Sequence, residues 1–206
     1  MPVIFNQYQT SFRLALWSLT EPLSFFEEKT QLSVPDKLAY SKIKNETRKK
    51  EWLAVRLLLH ETLGFWPNIT YTETGKPLLQ NHTRHLSISH SKSMVGILLC
   101  TSTHSGIDIE PLNRSIDKVA FRFLSEQEQQ YIASHPMKYS RIIYWCAKEA
   151  IFKAVNESNI LFSKQIFITE VTENGTMQGT FTSPKEQVEF NLNYIELEEH
   201  IIVWTA

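Results

Sequence analysis

The sequence lacks the features that would place it in several large functional classes. No stretch approaches the roughly 20 consecutive apolar residues needed to span a bilayer, so no membrane partner is expected. Lys and Arg (21) nearly balance Asp and Glu (22), for a formal net charge of -1. The broad basic surface that displaces counterions from nucleic acid is therefore missing, no nucleic-acid partner is expected, and any anion site has to be local. Cysteine is scarce: Cys100 and Cys146 each sit in an apolar run, which suits reduced core thiols better than a disulfide framework. There is no low-complexity tract and no long run of one charge, which leaves little room for a disordered tail. The first residues, Met1-Pro2-Val3-Ile4-Phe5-Asn6-Gln7, show no basic stretch followed by an apolar one. Together these absences lead to the expectation of a soluble, cytoplasmic protein.

What is present is a globular composition, 42% hydrophobic and 21% charged, over 206 residues, enough for one large core or two small lobes. The order of elements favours two lobes. In the first half the patterns predict a strand over 12–19, stopped at Glu21-Pro22, and one or two helices over 35–63, stopped by Gly64. A hairpin is expected around Glu73-Thr74-Gly75-Lys76-Pro77, then strands over 86–90 and 95–100. The second half repeats this order, with a strand over 105–110, helices over 115–134 and 139–156, and strands over 166–171, 177–182, 188–196 and 201–204. The helical segments starting at Trp52 and Trp145 align a tryptophan, an alanine and a following apolar run. The expectation is an α+β fold of two similar α/β lobes, residues 1–102 and 103–206, in a pseudo-twofold arrangement with the active site in the cleft between them.

Gly106-Ile107-Asp108-Ile109-Glu110 is the first stretch that carries chemistry. Side chains alternate along a strand, so Asp108 and Glu110 share a face, roughly 6 to 7 Å apart, a gap that carboxylates can close around one hard cation. Taken alone, the same pattern also describes the solvated face of an amphipathic strand. In Trp145-Cys146-Ala147-Lys148-Glu149-Ala150-Ile151-Phe152-Lys153, helical spacing puts Trp145, Lys148, Glu149, Phe152 and Lys153 on one face and Ile143, Ala147, Ala150, Ile151 and Ala154 on the other. The bland alternative there is a surface Glu149–Lys153 ion pair. Gly75-Lys76-Pro77 sets a cation on a turn, and Ser87-Ile88-Ser89-His90-Ser91 sets hydroxyls and an imidazole at a strand end, both suited to phosphate oxygens.

These four segments, in this order, resemble the 4'-phosphopantetheinyl transferases, and within them the monomeric, double-length branch that includes the surfactin-synthetase activator. The resemblance runs from the Trp52 helix through Lys153 and weakens to generic strands beyond. It implies an enzyme that moves the 4'-phosphopantetheine arm of coenzyme A onto a serine of an apo acyl or peptidyl carrier protein, releasing 3',5'-ADP. It further implies magnesium on Asp108, Glu110 and Glu149, and catalytic roles for Asp108, Glu149 and Lys153. Lys148 and Lys153 would stand at the coenzyme A phosphates, and Lys76, Ser89 and His90 at its nucleotide end, with Arg48 and Arg56 of the first-half helix as further coenzyme A contacts. The serine proton could pass to Glu149 or to a metal-bound water. Glu128, in Phe123-Leu124-Ser125-Glu126-Gln127-Glu128, is a third candidate, although Gln129 stands where an aromatic often follows. Arg114, Lys118 and Arg122 recur along the expected helix after the metal strand, as a basic stripe for an acidic carrier. The rival readings are a magnesium-dependent phosphohydrolase or nuclease and a non-enzymatic coenzyme A or carrier-binding module.

Overall fold

The computed structural model describes residues 3–155, 157–169 and 171–205. Asn156 and Glu170, which the sequence puts at a helix end and inside a strand, lie outside them, as do residues 1, 2 and 206. The chain divides into two compact units, residues 1–102 and 103–206.

In the first unit, β1 (Val3–Tyr8), β2 (Phe12–Ser18), β5 (His85–His90) and β6 (Met94–Cys100) form an antiparallel sheet in the order β1-β2-β6-β5. Helices α1 (Leu23–Lys29), α2 (Val34–Ser41) and α3 (Glu46–Leu63) intervene, followed by the hairpin of β3 (Ile69–Tyr71) and β4 (Pro77–Leu79). The expected helical stretch is thus two helices, because Asn45 accepts the Arg48 N–H at 2.9 Å and starts a fresh one. Gly64, at φ 79°, closes α3 in the left-handed conformation. Leu53, Ala54, Leu57 and Leu58 of α3 pack with Ala15, Trp17, Val95, Ile97 and Leu99 of the sheet.

The second unit holds the sheet β7-β11-β10-β9-β8, built from β7 (Ile107–Pro111), β8 (Ile166–Thr169), β9 (Thr176–Thr182), β10 (Gln187–Leu197) and β11 (His200–Thr205). Helix α6 (Ser140–Val155) lies on it, with Ala147, Ala150, Ile151 and Ala154 in one core with Ile201 and Val203. The expected long helix over 115–134 is corrected to a 3-10 turn (Asp117–Val119), α4 (Ala120–Phe123) and α5 (Glu126–Ser134). The break has a local cause. Ser125 Oγ accepts the Glu128 N–H at 3.2 Å while Glu128 Oε2 accepts the Ser125 N–H at 2.7 Å, a reciprocal cap that begins a new helix. Strand β1, helix α1 and the short α7 (Phe162–Gln165) have no counterpart in the sequence reading.

Each unit is therefore an antiparallel sheet with one long helix across it, and both helices meet their sheets through a fully buried alanine, Ala54 and Ala147. No helix among the described residues is long and apolar enough to cross a membrane.

Candidate functional site

The site in the second unit is a seam between one strand and one helix. Asp108 and Glu110 pair across β7 with Val203 and Ile201 of β11, and those two residues pack in the same core as α6. Both carboxylates thus share the face that α6 covers, and they are 5% and 6% exposed, not a solvated stripe. Trp145 Nε1 donates to Glu110 Oε1 at 2.8 Å, and Lys153 Nζ donates to Asp108 Oδ1 at 2.8 Å and to the Ile107 carbonyl at 2.9 Å. The helix therefore runs antiparallel to β7. Trp145, Glu149 and Lys153 follow i, i+4, i+8 spacing, so Glu149 falls between the two contacts, over both acids.

That placement explains its ionisation. Burial, then the negative charge of Asp108, push the Glu149 carboxyl from 4.5 up to about 7; Lys153 opposes the shift and Glu110 adds to it. Glu110 is raised too, first by burial, against the pull of its hydrogen bond from Arg114. Three carboxylates are hard oxygen donors, and their mutual repulsion in a buried seam suits a divalent cation. They do not converge as a finished cage: no group of three His, Cys, Asp or Glu among the described residues is arranged to hold a metal. Instead Asp108 turns to Lys153, and Glu110 to Arg114 and Trp145.

The raised carboxyl sets a pH dependence. Between 4.5 and about 7 the folded chain keeps a proton on Glu149 that the unfolded chain has released. Its contribution to stability therefore falls as pH rises through that window. In metal-free buffer, the melting temperature of wild type minus that of Glu149→Gln is expected to decline from about pH 5 to about pH 8. A flat difference would contradict the placement of Glu149 over two acids.

Lys148 leaves the face the periodicity assigns it. It is fully buried, and its ammonium donates to Glu128 Oε2 at 2.7 Å, to the Phe162 carbonyl at 3.2 Å and to the Ile166 carbonyl at 2.5 Å. A lysine has three donors, and here all three are engaged inside the unit, which places Lys148 as an internal tie. Glu128 is held with it. One oxygen takes Lys148 and the Ser125 N–H, the other the Ile168 N–H at 2.9 Å.

In the first unit, Arg48, Glu51 and His90 come together: Arg48 Nη1 donates to Glu51 Oε2 at 3.2 Å and meets His90 Nε2, while His90 Nδ1 lies 3.2 Å from Glu51 Oε2. Glu51 escaped the sequence reading, although it stands one helical turn after Arg48. Arg56 does not join them. It is 4% exposed, paired with Asp36 Oδ1 at 2.7 and 3.0 Å, and stacked on Trp52 with the guanidinium carbon 3.0 Å from the ring centroid, which makes it an internal tie here. Ser89 is buried on β5, and strand alternation turns it to the face opposite His90. Lys76 sits at the turn of the β3–β4 hairpin, where Gly75 adopts φ 86°, and burial lowers its pKa.

A sheet with a carboxylate pair on one strand, a third carboxylate from the helix above it, and lysine and arginine against them has the chemistry suited to a cation or a polyanion. Comparison with known families narrows that class. The model described as the 4'-phosphopantetheinyl transferase superfamily matches residues 105–205, which includes every residue of the seam. The 4'-phosphopantetheinyl transferase AcpT of Escherichia coli O157:H7 is 32% identical over 115 residues, 52% of this chain and 57% of that protein. The protein of the same name from Salmonella typhi is 32% identical over 114 residues, 52% of this chain and 58% of that one. The chain thus spans less than two thirds of the curated relatives it matches. Residues 105–205, almost all of the second unit, match the 4'-phosphopantetheinyl transferase superfamily, and the chain is similar to the AcpT transferases.

Proposed function

We propose that this chain transfers the 4'-phosphopantetheine group of coenzyme A to a serine hydroxyl of an apo acyl or peptidyl carrier protein, with magnesium on Asp108, Glu110 and Glu149. The observation that carries the reading is the seam itself, where buried Asp108 and Glu110 are bonded to Lys153 and Trp145 on either side of Glu149, whose carboxyl is held up to about 7, first by burial and then by Asp108. A bound divalent cation would offset the repulsion among the three carboxylates. The transferase names of the relatives support the choice of reaction. The buried, unbridged Cys100 and Cys146 support a reducing, cytoplasmic setting, and two units in one chain support action as a monomer.

In this reading the serine oxygen forms a bond to the phosphorus that bears the pantetheine arm, and the bond from that phosphorus to 3',5'-ADP breaks. The serine proton passes to Glu149 or to water, since Glu128 is occupied. Bound magnesium would supply Lewis-acid charge at the pyrophosphate. Lys153, with 28% of its side chain exposed, brings a positive charge to the same seam and neutralises oxygens as the leaving group departs. Lys76, Arg48, His90 and Ser89 are proposed for the nucleotide end.

One incubation tests the reading: the full chain, coenzyme A, magnesium and a panel of apo carrier proteins, followed by intact mass. A phosphopantetheine adduct is expected. Hydrolysis products without an adduct would support a phosphohydrolase instead, and binding without turnover a sensing module.

The basic stripe shortens to two residues, because Arg114 is paired to Glu110. Lys118 and Arg122 remain exposed, on the 3-10 turn and α4. Reversing both to Glu should raise the carrier's KM several-fold through lost electrostatic complementarity and leave coenzyme A binding unchanged. An unaltered carrier KM would remove these residues from the docking surface.

A further inference from the structure

Segments of the second unit that are distant in sequence meet at one buried nitrogen. Lys148 joins the middle of α6 to Glu128 in the first turn of α5, to the Phe162 carbonyl of α7 and to the Ile166 carbonyl at the start of β8. Glu128 extends the tie through its bonds from the Ser125 and Ile168 N–H groups. Lys148 is fully buried and Glu128 5% exposed, so the pair has no part in solvation.

Such a pair is a poor device for stability alone. Taking two charges out of water costs several kcal/mol per ion, and well-packed neutral residues of the same volume often serve as well or better. What an ammonium held by three fixed acceptors adds is direction. The core side of α6 combines Ala147, Ala150 and Ala154 with Ile142, Ile143, Ile151 and Val155, apolar contacts that lack the directionality of an ammonium held by three acceptors. Lys148 and Glu149 are neighbours, about 100° apart on the helix, so fixing the first fixes the bearing of the second. A functional constellation tolerates errors of only about 0.5 Å and 10–20°.

We infer that Glu128 and Lys148 are positioning residues, a buried ionic clasp that sets the rotation of α6 so that Glu149 faces Asp108 and Glu110. The inference rests on the proposed reading of these three carboxylates as a divalent-cation site.

The test uses manganese(II) as the probe, with binding to the full chain followed by electron paramagnetic resonance. The double variant Glu128→Gln/Lys148→Met removes both charges at nearly constant volume. It should melt within a few degrees of wild type yet bind manganese about 10- to 100-fold more weakly, the range found when groups that orient metal ligands are lost. Its kcat for carrier modification should fall in parallel, with the carrier's KM unchanged, a split that general loosening of the fold does not produce. Manganese affinity equal to wild type in the folded double variant overturns the clasp. Should the double variant not fold, Glu128→Asp keeps the charge and shortens the reach by one methylene. It is expected to weaken manganese several-fold, and unchanged affinity there overturns the clasp equally. If wild type itself neither binds manganese nor modifies a carrier, the cation-site reading fails and the clasp with it. If wild type does both and the variants match it, only the clasp fails.

Discussion

Glu149→Gln is expected to lower the rate of carrier modification by about 100-fold or more, the scale on which loss of one preorganised charge-stabilising group is felt. Its far-UV circular dichroism should remain that of wild type. The substitution keeps the shape of the side chain and its place between the Trp145 and Lys153 contacts. It removes the one carboxylate of the three to which no ammonium, guanidinium or indole is shown bonded, the one poised near 7 by burial and Asp108. An amide cannot accept the serine proton, and its oxygen holds a hard cation more weakly than a carboxylate does, so both proposed duties of Glu149 suffer. Unaltered labelling by Glu149→Gln would end the reading of this seam as an active site. Glu110→Gln should cost less, since Trp145 donates to Glu110 and an amide oxygen can still accept that bond.

Gly106→Ala is expected to do its damage through the fold, lowering the melting temperature by on the order of 10 °C, from about 3 kcal/mol of overpacking. A methyl group at Gly106 would stand 1.9 Å from the Ala150 carbonyl oxygen and 3.1 Å from the Ala154 nitrogen. Those are backbone atoms, which cannot turn aside as a flexible side chain would. Gly106 is also fixed on its other side, where its carbonyl accepts from Thr205 N at 3.0 Å and its N–H donates to Thr205 Oγ1 at 3.0 Å. The helix must therefore lift from the strand, and Glu149 lifts with it. Thermal melting checks the first effect. Labelling measured well below the new melting temperature checks the second, and should still fall. An unchanged melting temperature would mean that α6 does not approach β7 this closely.

The parts of the site legible in the sequence were those with a period. Asp108 and Glu110 share a face because strands alternate, and Glu149 and Lys153 share a stripe because helices turn every 3.6 residues. Periodicity does not say how many sides of a helix are covered. Five positions from Trp145 to Lys153 looked like one functional face, whereas Trp145, Glu149 and Lys153 turn to β7 and Lys148 turns to Glu128. The same gap hid the partner of Arg56, Asp36, which is twenty residues away on another helix. The interruption of the 115–134 helix was readable after all, since Ser125-Glu126-Gln127-Glu128 spells a capping box. Strand β1 was not: Val3–Tyr8 has only partly buried or exposed side chains, and its pairing with β2 is what makes it a strand.

The side chain that caps α5 is also the one that receives the Lys148 ammonium. Unwinding the first turn of that helix would strip a buried cation of its counterion, so this end cannot fray cheaply as exposed helix termini do. Amide hydrogens at Ser125 and Ile168 should consequently exchange with solvent in step with the middle of α6, as one cooperative unit and not as a loose end.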